Sequence, residues 1–196
     1  GATNAAMIKE AFPGASSVML NKSYRSSYEI MQFAQRISPN PDLEPIERHG
    51  ESPSVVRCRN VADEVDQIRS MIEAFEASEH NTLAIIARTD RQARRLEQAL
   101  SSHYPGLQRL DTQSRSFRPG VILCTAHMAK GLEFDRVIVA DVSARQYTSE
   151  MDRNLLYVAC TRAMHRLVLT HVGEPSEWLA GTESLCEFTE TSTGSG

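Results

Sequence analysis

Residues 121–141 read Val-Ile-Leu-Cys-Thr-Ala-His-Met-Ala-Lys-Gly-Leu-Glu-Phe-Asp-Arg-Val-Ile-Val-Ala-Asp. Two apolar runs within this stretch, 121–124 and 137–140, are continuous and mostly β-branched, which is typical of buried strands. In open α/β sheets, ligands bind outside the carboxyl ends of strands. We therefore expect the polar turn between the runs to gather at one such strand end, although an ordinary solvated connection would also be polar. The residues concerned are Thr125, His127, Lys130, Gly131, Glu133 and Asp135.

The composition is that of a globular protein without a membrane anchor. Apolar residues make up 41% and charged residues 23% of the 196 residues, which are ordinary values for a domain with a sizeable core. No apolar run approaches the roughly 18 residues that a membrane-spanning helix needs, and the first residues carry no signal sequence. We therefore expect a cytoplasmic protein with no membrane partner. Because the chain begins with Gly rather than Met, we also expect it to be a fragment of a longer protein.

The cysteines and the net charge limit the kinds of site. The four cysteines are widely spaced and no pair has the spacing of metal ligands, so we expect reduced thiols and no metal site. The net charge is −4, whereas an isolated domain that binds a phosphate backbone strongly should be basic. Any nucleic-acid contact must therefore be local, or be shared with another part of the protein. The cysteines are Cys58, Cys124, Cys160 and Cys186.

Apolar periodicity predicts strands that alternate with helices. Helices are predicted over 5–12, 28–37, 63–77, 91–100 and 150–163. Strands are predicted over 17–20, 54–58, 82–87, 121–124, 137–140 and 167–171, with a short edge strand near 107–110. This alternation indicates an α/β fold of three layers, α/β/α, with a mostly parallel sheet. We expect one domain over 15–180, a lead-in over 1–14, and a loose tail over 181–196, which is rich in Ser, Thr, Gly and Glu.

Two polar stretches carry residue types that suit phosphates, sugars and nucleic acid. Tyr24 and Arg25 offer an aromatic ring for stacking and a cation for phosphate. Gly131 lets a backbone approach a ligand closely, and Glu133 can accept hydrogen bonds from a sugar hydroxyl. For each residue the alternative is an ordinary solvated side chain, and a lone His is most often structural. The residues suited to a nucleic-acid backbone are Thr125, His127 and Lys130.

A third stretch, 155–163, ends close to Arg162. On a helical wheel Arg162 falls within or beside the apolar arc of the helix predicted over 150–163. One interpretation is a cation favoured by the helix dipole that snorkels to water. The other is an arginine finger, aimed at a phosphate across a domain boundary. On the second interpretation we expect Arg162→Ala to leave folding nearly unchanged, because removing a cation from an apolar arc costs little.

In their order and spacing these stretches resemble the second RecA-like domain of UvrD/Rep/PcrA-type superfamily 1 DNA helicases. Residues 20–26, Leu-Asn-Lys-Ser-Tyr-Arg-Ser, are similar to motif IV of that family. Residues 125–134, Thr-Ala-His-Met-Ala-Lys-Gly-Leu-Glu-Phe, are similar to motif V, and residues 155–163, Leu-Leu-Tyr-Val-Ala-Cys-Thr-Arg-Ala, to motif VI. The resemblance covers about residues 10–172. It implies a RecA-like fold of the P-loop NTPase type and a part in an ATP-dependent DNA helicase.

The resemblance also implies a role for each motif residue. Tyr24 would stack on the adenine of ATP, and Arg25 and Arg162 would contact the γ-phosphate as catalytic residues. Gly131 and Glu133 would lie at the nucleotide, with Glu133 near the ribose. The residues that would face single-stranded DNA are Thr125, His127 and Lys130.

The sequence departs from a complete motor in one respect. It contains no Gly-x-x-x-x-Gly-Lys-Ser/Thr loop, so the phosphate cradle and the Mg²⁺ ligands are expected in a preceding RecA-like domain, which would be the partner of this one. The position of Arg162 raises a geometric question. A helix antiparallel to the strands ends at the opposite edge of the sheet, so it must run obliquely or end early if Arg162 is to reach the nucleotide.

Two features resemble a particular branch of the family, the HelD-like proteins. Only residues 101–120 separate the elements between which UvrD and Rep carry a large inserted domain. Residues 47–53 read Glu-Arg-His-Gly-Glu-Ser-Pro, which is also similar to that branch. HelD-like proteins act on RNA polymerase, so the alternative function is an ATP-switched module that binds RNA polymerase without unwinding DNA.

Overall fold

Seven parallel strands form one sheet within the described part of the chain. The computed structural model describes residues 9–10, 13–14, 26–40, 47–113 and 116–192. The strands are β1 (Lys9–Glu10), β2 (Pro13–Gly14), β3 (Ser54–Cys58), β4 (Thr82–Ala87), β5 (Gln108–Arg109), β6 (Gly120–Thr125), β7 (Phe134–Val139), β8 (Ala163–Val172) and β9 (Glu187–Glu190). β1 and β2 pair with each other, and the main sheet has the order β5-β6-β4-β7-β8-β3-β9.

Helices cover both faces of this sheet, so the predicted three-layer α/β/α fold is confirmed. The helices are α1 (Tyr28–Ile37), α2 (Val61–Glu76), α3 (Asp90–Leu100), α4 (Ala126–Ala129) and α5 (Glu150–Cys160). Alternate residues of β4 enter two separate cores, because successive side chains of a strand point to opposite faces. Ile85 packs in the core formed with α2 and α3, whereas Ile86 packs in the core formed with α1, α4 and α5.

Each of these five α-helices of the described residues begins at a polar residue whose side chain accepts a hydrogen bond from the backbone N–H three residues later. This cap satisfies one of the free N–H groups at a helix start and is worth about 1 kcal/mol. Ser149 and Asp152 form a reciprocal capping box at the start of α5. The caps lie at the ends of strands or loops, so they fix where each helix leaves the sheet. They are Ser27, Asn60, Thr89, Thr125 and Ser149.

The helix predicted over 150–163 ends earlier, at Cys160, so the helical-wheel placement of Arg162 is wrong. The Thr161 hydroxyl donates to the carbonyls of Tyr157 and Val158 and closes the last turn. The next carbonyl, that of Arg162, accepts a hydrogen bond from the backbone N–H of Phe134 over 2.9 Å. From Arg162 onward the backbone therefore pairs with the sheet instead of continuing the helix. A local helical pattern cannot reveal this pairing.

The two ends of the chain also differ from prediction. Residues 187–190 form β9, which pairs in parallel with β3, so the expectation of a loose tail is wrong for this segment. β9 was missed because its side chains are exposed and it is held by backbone hydrogen bonds rather than by an apolar pattern. The helix predicted over 5–12 is wrong at Lys9–Glu10, which is a strand. The strand predicted over 17–20 lies outside the described residues, and no described helix is long and apolar enough to cross a bilayer.

Candidate nucleotide and nucleic-acid sites

The motif V segment runs from one edge of the sheet to the other. Thr125 ends β6 beside Ala87, which ends β4, and we call this side the carboxyl edge. Phe134 begins β7 beside Ala163, which begins β8, and we call this side the amino edge. The sequence predicted that the polar turn gathers at one strand end, and this prediction is wrong. Thr125 lies at the carboxyl edge, whereas Glu133 lies at the amino edge.

Three segments that are distant in sequence meet at the amino edge. The hydroxyl of Ser26, the residue after Arg25, donates a hydrogen bond that is shared between the carbonyls of Thr161 and Ala163. The Arg162 guanidinium donates to the carbonyl of Leu132 over 3.3 Å, which joins motif VI to motif V. α5 therefore ends at the edge opposite Thr125, as an antiparallel helix must, and Arg162 lies at the same edge as Glu133. That a nucleotide binds at this edge stays a prediction.

Arg162 is already engaged by the protein. Its Nε donates to the Val158 carbonyl over 2.9 Å and its Nη2 donates to the Thr161 hydroxyl over 3.1 Å. This geometry fits the interpretation of Arg162 as a cation at a helix C-terminus, because Val158 belongs to the last turn of α5. The half-buried guanidinium is fixed in direction by these bonds, which is also what a phosphate contact requires. Its role as a finger remains a prediction.

The exposed carboxyl of Glu133 lies in the electrostatic field of two guanidinium groups. Crowding by neighbouring atoms raises the pKa of its carboxyl, and the positive charges of Arg162 and Arg48 partly oppose that shift. Burial lowers the pKa of Arg162, and Glu133 opposes the shift. One carboxylate beside two cations makes a positive setting for a phosphate. It does not fit Mg²⁺, which prefers several oxygen ligands, and the described residues hold no group of three metal-binding side chains.

Arg48 is a site residue that sequence reasoning did not single out. Its Nη2 donates to the Met164 carbonyl over 3.0 Å, at the start of β8. The segment is fastened to the first turn of α1, because the Tyr28 N–H donates to the Arg48 carbonyl and Glu29 accepts from Gly50. No local periodicity signals this placement, since the contacts join a loop to a distant strand. The resemblance of residues 47–53 to one family branch was the only available hint.

Gly131 has a backbone φ of 84°, a region that side chains other than glycine rarely adopt. A Cβ atom at this position would meet no atom within 4 Å. The requirement for glycine therefore comes from the backbone turn and not from crowding. The turn takes the exposed chain from α4 towards Leu132 and Glu133.

The carboxyl edge is more open. The Thr125 hydroxyl caps α4 by accepting from the Met128 N–H over 3.4 Å, so it has a structural task as well as its predicted one. His127 and Lys130 are exposed on and just after α4. Tyr24 and Arg25 lie outside the described residues, so their predicted places at the nucleotide remain predictions.

Comparisons with known proteins agree with the fold and the motifs. Residues 120–170 match the family described as the UvrD-like helicase C-terminal domain. DNA helicase II of Escherichia coli (strain K12) is 36% identical over 84 residues, which are 38% of this chain and 12% of that protein. DNA helicase II of Salmonella typhimurium matches to the same extent. The chain thus covers about an eighth of the length of these curated relatives.

The structural comparisons extend over most of the chain. The C-terminal domain of a possible DNA helicase from Lactobacillus plantarum WCFS1 is 35% identical with a TM-score of 0.74, covering 85% of this chain and 98% of that one. Dbp5 of S. cerevisiae, solved with RNA and ADP BeF3, is 15% identical with a TM-score of 0.50, covering 82% of this chain and 48% of that one, and supports the fold alone. The RecA-like fold is thus confirmed, and the chain belongs to the family of UvrD-like helicase C-terminal domains.

Proposed function

We propose that this domain completes the ATP site of an ATP-dependent DNA helicase or translocase and contacts single-stranded DNA. The observation that supports the proposal best is the meeting of Ser26, Glu133 and Arg162 at the amino edge. These residues come from three motifs that are far apart in sequence, and the cations beside Glu133 suit a triphosphate. A preceding RecA-like domain would supply the phosphate loop and the Mg²⁺ ligands.

At the amino edge, Arg162 and Arg25 would contact the γ-phosphate and stabilise charge that develops during hydrolysis. The present acceptors of Arg162 are neutral carbonyl and hydroxyl oxygens. Bonds to a phosphate oxygen are charge-assisted and about twice as strong, so a γ-phosphate can compete for this guanidinium. Tyr24 would stack on adenine, and Glu133 beside the Gly131 turn would accept from the ribose.

At the carboxyl edge, Thr125, His127 and Lys130 would contact the DNA backbone. The motif V segment gives a physical link between the two sites. Thr125 and Glu133 are joined by α4 and one turn, and the Arg162–Leu132 hydrogen bond fastens the far end of that link. Closure of two domains on ATP, which pulls on Arg162, would therefore move the residues at the carboxyl edge.

The proposal is tested by the ATPase activity of the full-length protein with single-stranded DNA and with RNA polymerase. Stimulation by DNA supports the helicase, and tight polymerase binding without DNA stimulation supports the HelD-like alternative. The 196-residue chain by itself should not hydrolyse ATP, because it lacks the phosphate loop. Turnover that co-purifies with the chain and disappears in Arg162→Ala would contradict this expectation.

The isolated chain should also bind single-stranded DNA weakly, if at all, at physiological salt, because its net charge is −4 and it supplies only part of a groove. Tight binding at that salt concentration would contradict the proposed share of the groove. We expect the full-length protein in the cytoplasm, where fractionation can locate it.

A further inference from the structure

The exposed face of α3 carries three arginines within about one turn. Arg91, Arg94 and Arg95 are all exposed, and they line an open surface depression together with Asp90 and Gln98. Arg94 is paired with Asp90 over 2.7 Å. Among the residues that the structure describes, neither Arg91 nor Arg95 forms an ion pair with a carboxylate. The face therefore presents two uncompensated cations although the chain as a whole is acidic.

This arrangement is unfavourable for the isolated helix. Arg91 lies in the first turn of α3, where the helix dipole disfavours a cation by about 0.3–1 kcal/mol. Arg91 and Arg95 are four residues apart, a spacing at which like charges repel by about 0.2–0.5 kcal/mol. Arg94 is neutralised by Asp90, but Arg91 and Arg95 have no such carboxylate among the described residues. The positive charge of Arg95 acts at long range, on the buried carboxyl of Glu64. An anionic partner on this face would remove these costs.

The position of the face narrows the kind of partner. Ala87 ends β4 in register with Thr125, and Thr89 caps α3 two residues later. The first turn of α3 therefore leaves the sheet at the carboxyl edge, beside the strand end that carries Thr125 and α4. α3 and α4 cover opposite faces of the sheet, so a chain of phosphates that contacts Thr125 and His127 would cross the carboxyl edge to reach the first turn of α3.

We propose that Arg91 and Arg95 bind the phosphate backbone of single-stranded DNA and extend the nucleic-acid surface from α4 onto α3. This inference rests on the proposed function of the carboxyl edge. The face has no aromatic side chain for stacking and no fixed polar group for reading a base edge, so the contact is independent of DNA sequence. An acidic protein surface is the competing partner, and we favour DNA because the first turn of α3 starts at the sheet edge that carries Thr125.

The test is the salt dependence of binding between the 196-residue chain and a fluorescent oligo-dT, measured by anisotropy from about 20 to 150 mM salt. The double variant Arg91→Gln/Arg95→Gln should bind about tenfold more weakly at low salt. Its plot of log affinity against log salt should be flatter by about 1.4, because each lost single-strand phosphate contact removes about 0.7. Arg91→Lys/Arg95→Lys should bind nearly as well as the wild type, since a point charge suffices for phosphate.

The matched control is Arg36→Gln/Arg57→Gln, which makes the same change in net charge at exposed positions on α1 and β3 and should leave the slope unchanged. An equal loss in this control, or an unchanged slope for the α3 variant, would overturn the inference. His127→Ala, measured in parallel, separates failure of the proposed function from failure of the α3 inference. Weaker binding by His127→Ala with an unaffected α3 variant would leave the proposed function standing and the inference wrong. A wild-type chain that shows no salt-dependent binding at all would contradict both.

Discussion

The two edges of the sheet hold their charges in different ways. At the amino edge, the Arg162 guanidinium makes three hydrogen bonds to the protein, and Glu133 lies in the field of two guanidiniums. At the carboxyl edge, His127, Arg91 and Arg95 are exposed to water. A charge such as that of Arg162, which is fixed by hydrogen bonds and partly buried, is suited to acting on one group of a nucleotide. Exposed charges act through attraction that salt screens, which suits a long and uniform ligand such as a nucleic-acid backbone.

The largest effect is expected from Arg162→Ala in the full-length protein. If Arg162 is a finger, kcat for ATP should fall by about 10³-fold, with a smaller change in nucleotide affinity. Arg162→Lys should not restore kcat, because a single ammonium cannot reproduce the planar guanidinium. Steady-state kinetics at saturating DNA measure both variants. An unchanged kcat in Arg162→Ala would end the finger assignment.

The same substitution should also destabilise the domain, contrary to the expectation from the helical wheel. Arg162→Ala removes bonds to Val158, Leu132 and Thr161, and each hydrogen bond is worth about 1 kcal/mol net. We therefore expect a loss of about 2 kcal/mol in the free energy of unfolding, measured in urea on the 196-residue chain. A loss below about 0.5 kcal/mol would show that these bonds are not maintained in solution.

The next effect concerns the ion pair between Arg88 and the buried Asp152, near the carboxyl edge. Burial raises the pKa of Asp152, but hydrogen bonds from the backbone N–H groups of Thr148 and Ser149 and from Arg88 outweigh it and lower the pKa to about 2. The stability that this carboxylate contributes is therefore present above its ordinary pKa and is lost as pH falls towards about 2. Asp152→Asn should cost about 2 kcal/mol near neutral pH and much less at the acid end.

Urea unfolding of Asp152→Asn at several pH values measures this effect. Asp66→Asn is the matched control, because its carboxylate is exposed and pairs only loosely with Arg69, at 4.0 Å. The control should change stability by less than about 0.5 kcal/mol at every pH. A cost for Asp152→Asn that does not depend on pH would contradict the assigned charge interaction.

A smaller effect is expected from two glycines in different turns. Gly131 and Gly173 have φ values of 84° and 74°, and a Cβ atom at either would meet nothing within 4 Å. Gly131→Ala and Gly173→Ala should therefore each cost about 1 kcal/mol of stability through backbone strain alone. Only Gly131→Ala should also raise the KM for ATP in the full-length protein. Thermal melts and ATPase assays compare the pair, and a raised KM in both variants would contradict a local role for Gly131.

Local patterns were sufficient for much of the sheet. The strands at Ser54–Cys58 and Thr82–Ala87 and the helix at Tyr28–Ile37 have the bounds that periodicity and capping predict. These elements have strong apolar patterns and end at polar caps or turns, so neighbouring residues in the sequence determine where they begin and end. The two motif V strands were also found, although β7 begins at Phe134 rather than 137.

The division of the site between two edges could not be predicted in the same way. It depends on where α5 ends, and that end is set by the backbone bond between Phe134 and Arg162, two residues from different segments. The place of Arg48 depends likewise on a contact with Met164. Such contacts between distant segments leave no period in the sequence. The motif residues could be named, but not the edge to which each belongs.

The most direct test of the two-edge account compares Arg162→Ala and His127→Ala in the full-length protein by two measurements. These are kcat for ATP at saturating DNA and the Kd for oligo-dT without nucleotide. Arg162→Ala should lower kcat by more than about 10²-fold and change the DNA Kd by less than about threefold. His127→Ala should raise the DNA Kd by about fivefold, the worth of one polar contact, and leave kcat within about threefold. The account would be contradicted if both substitutions changed the same quantity and left the other untouched.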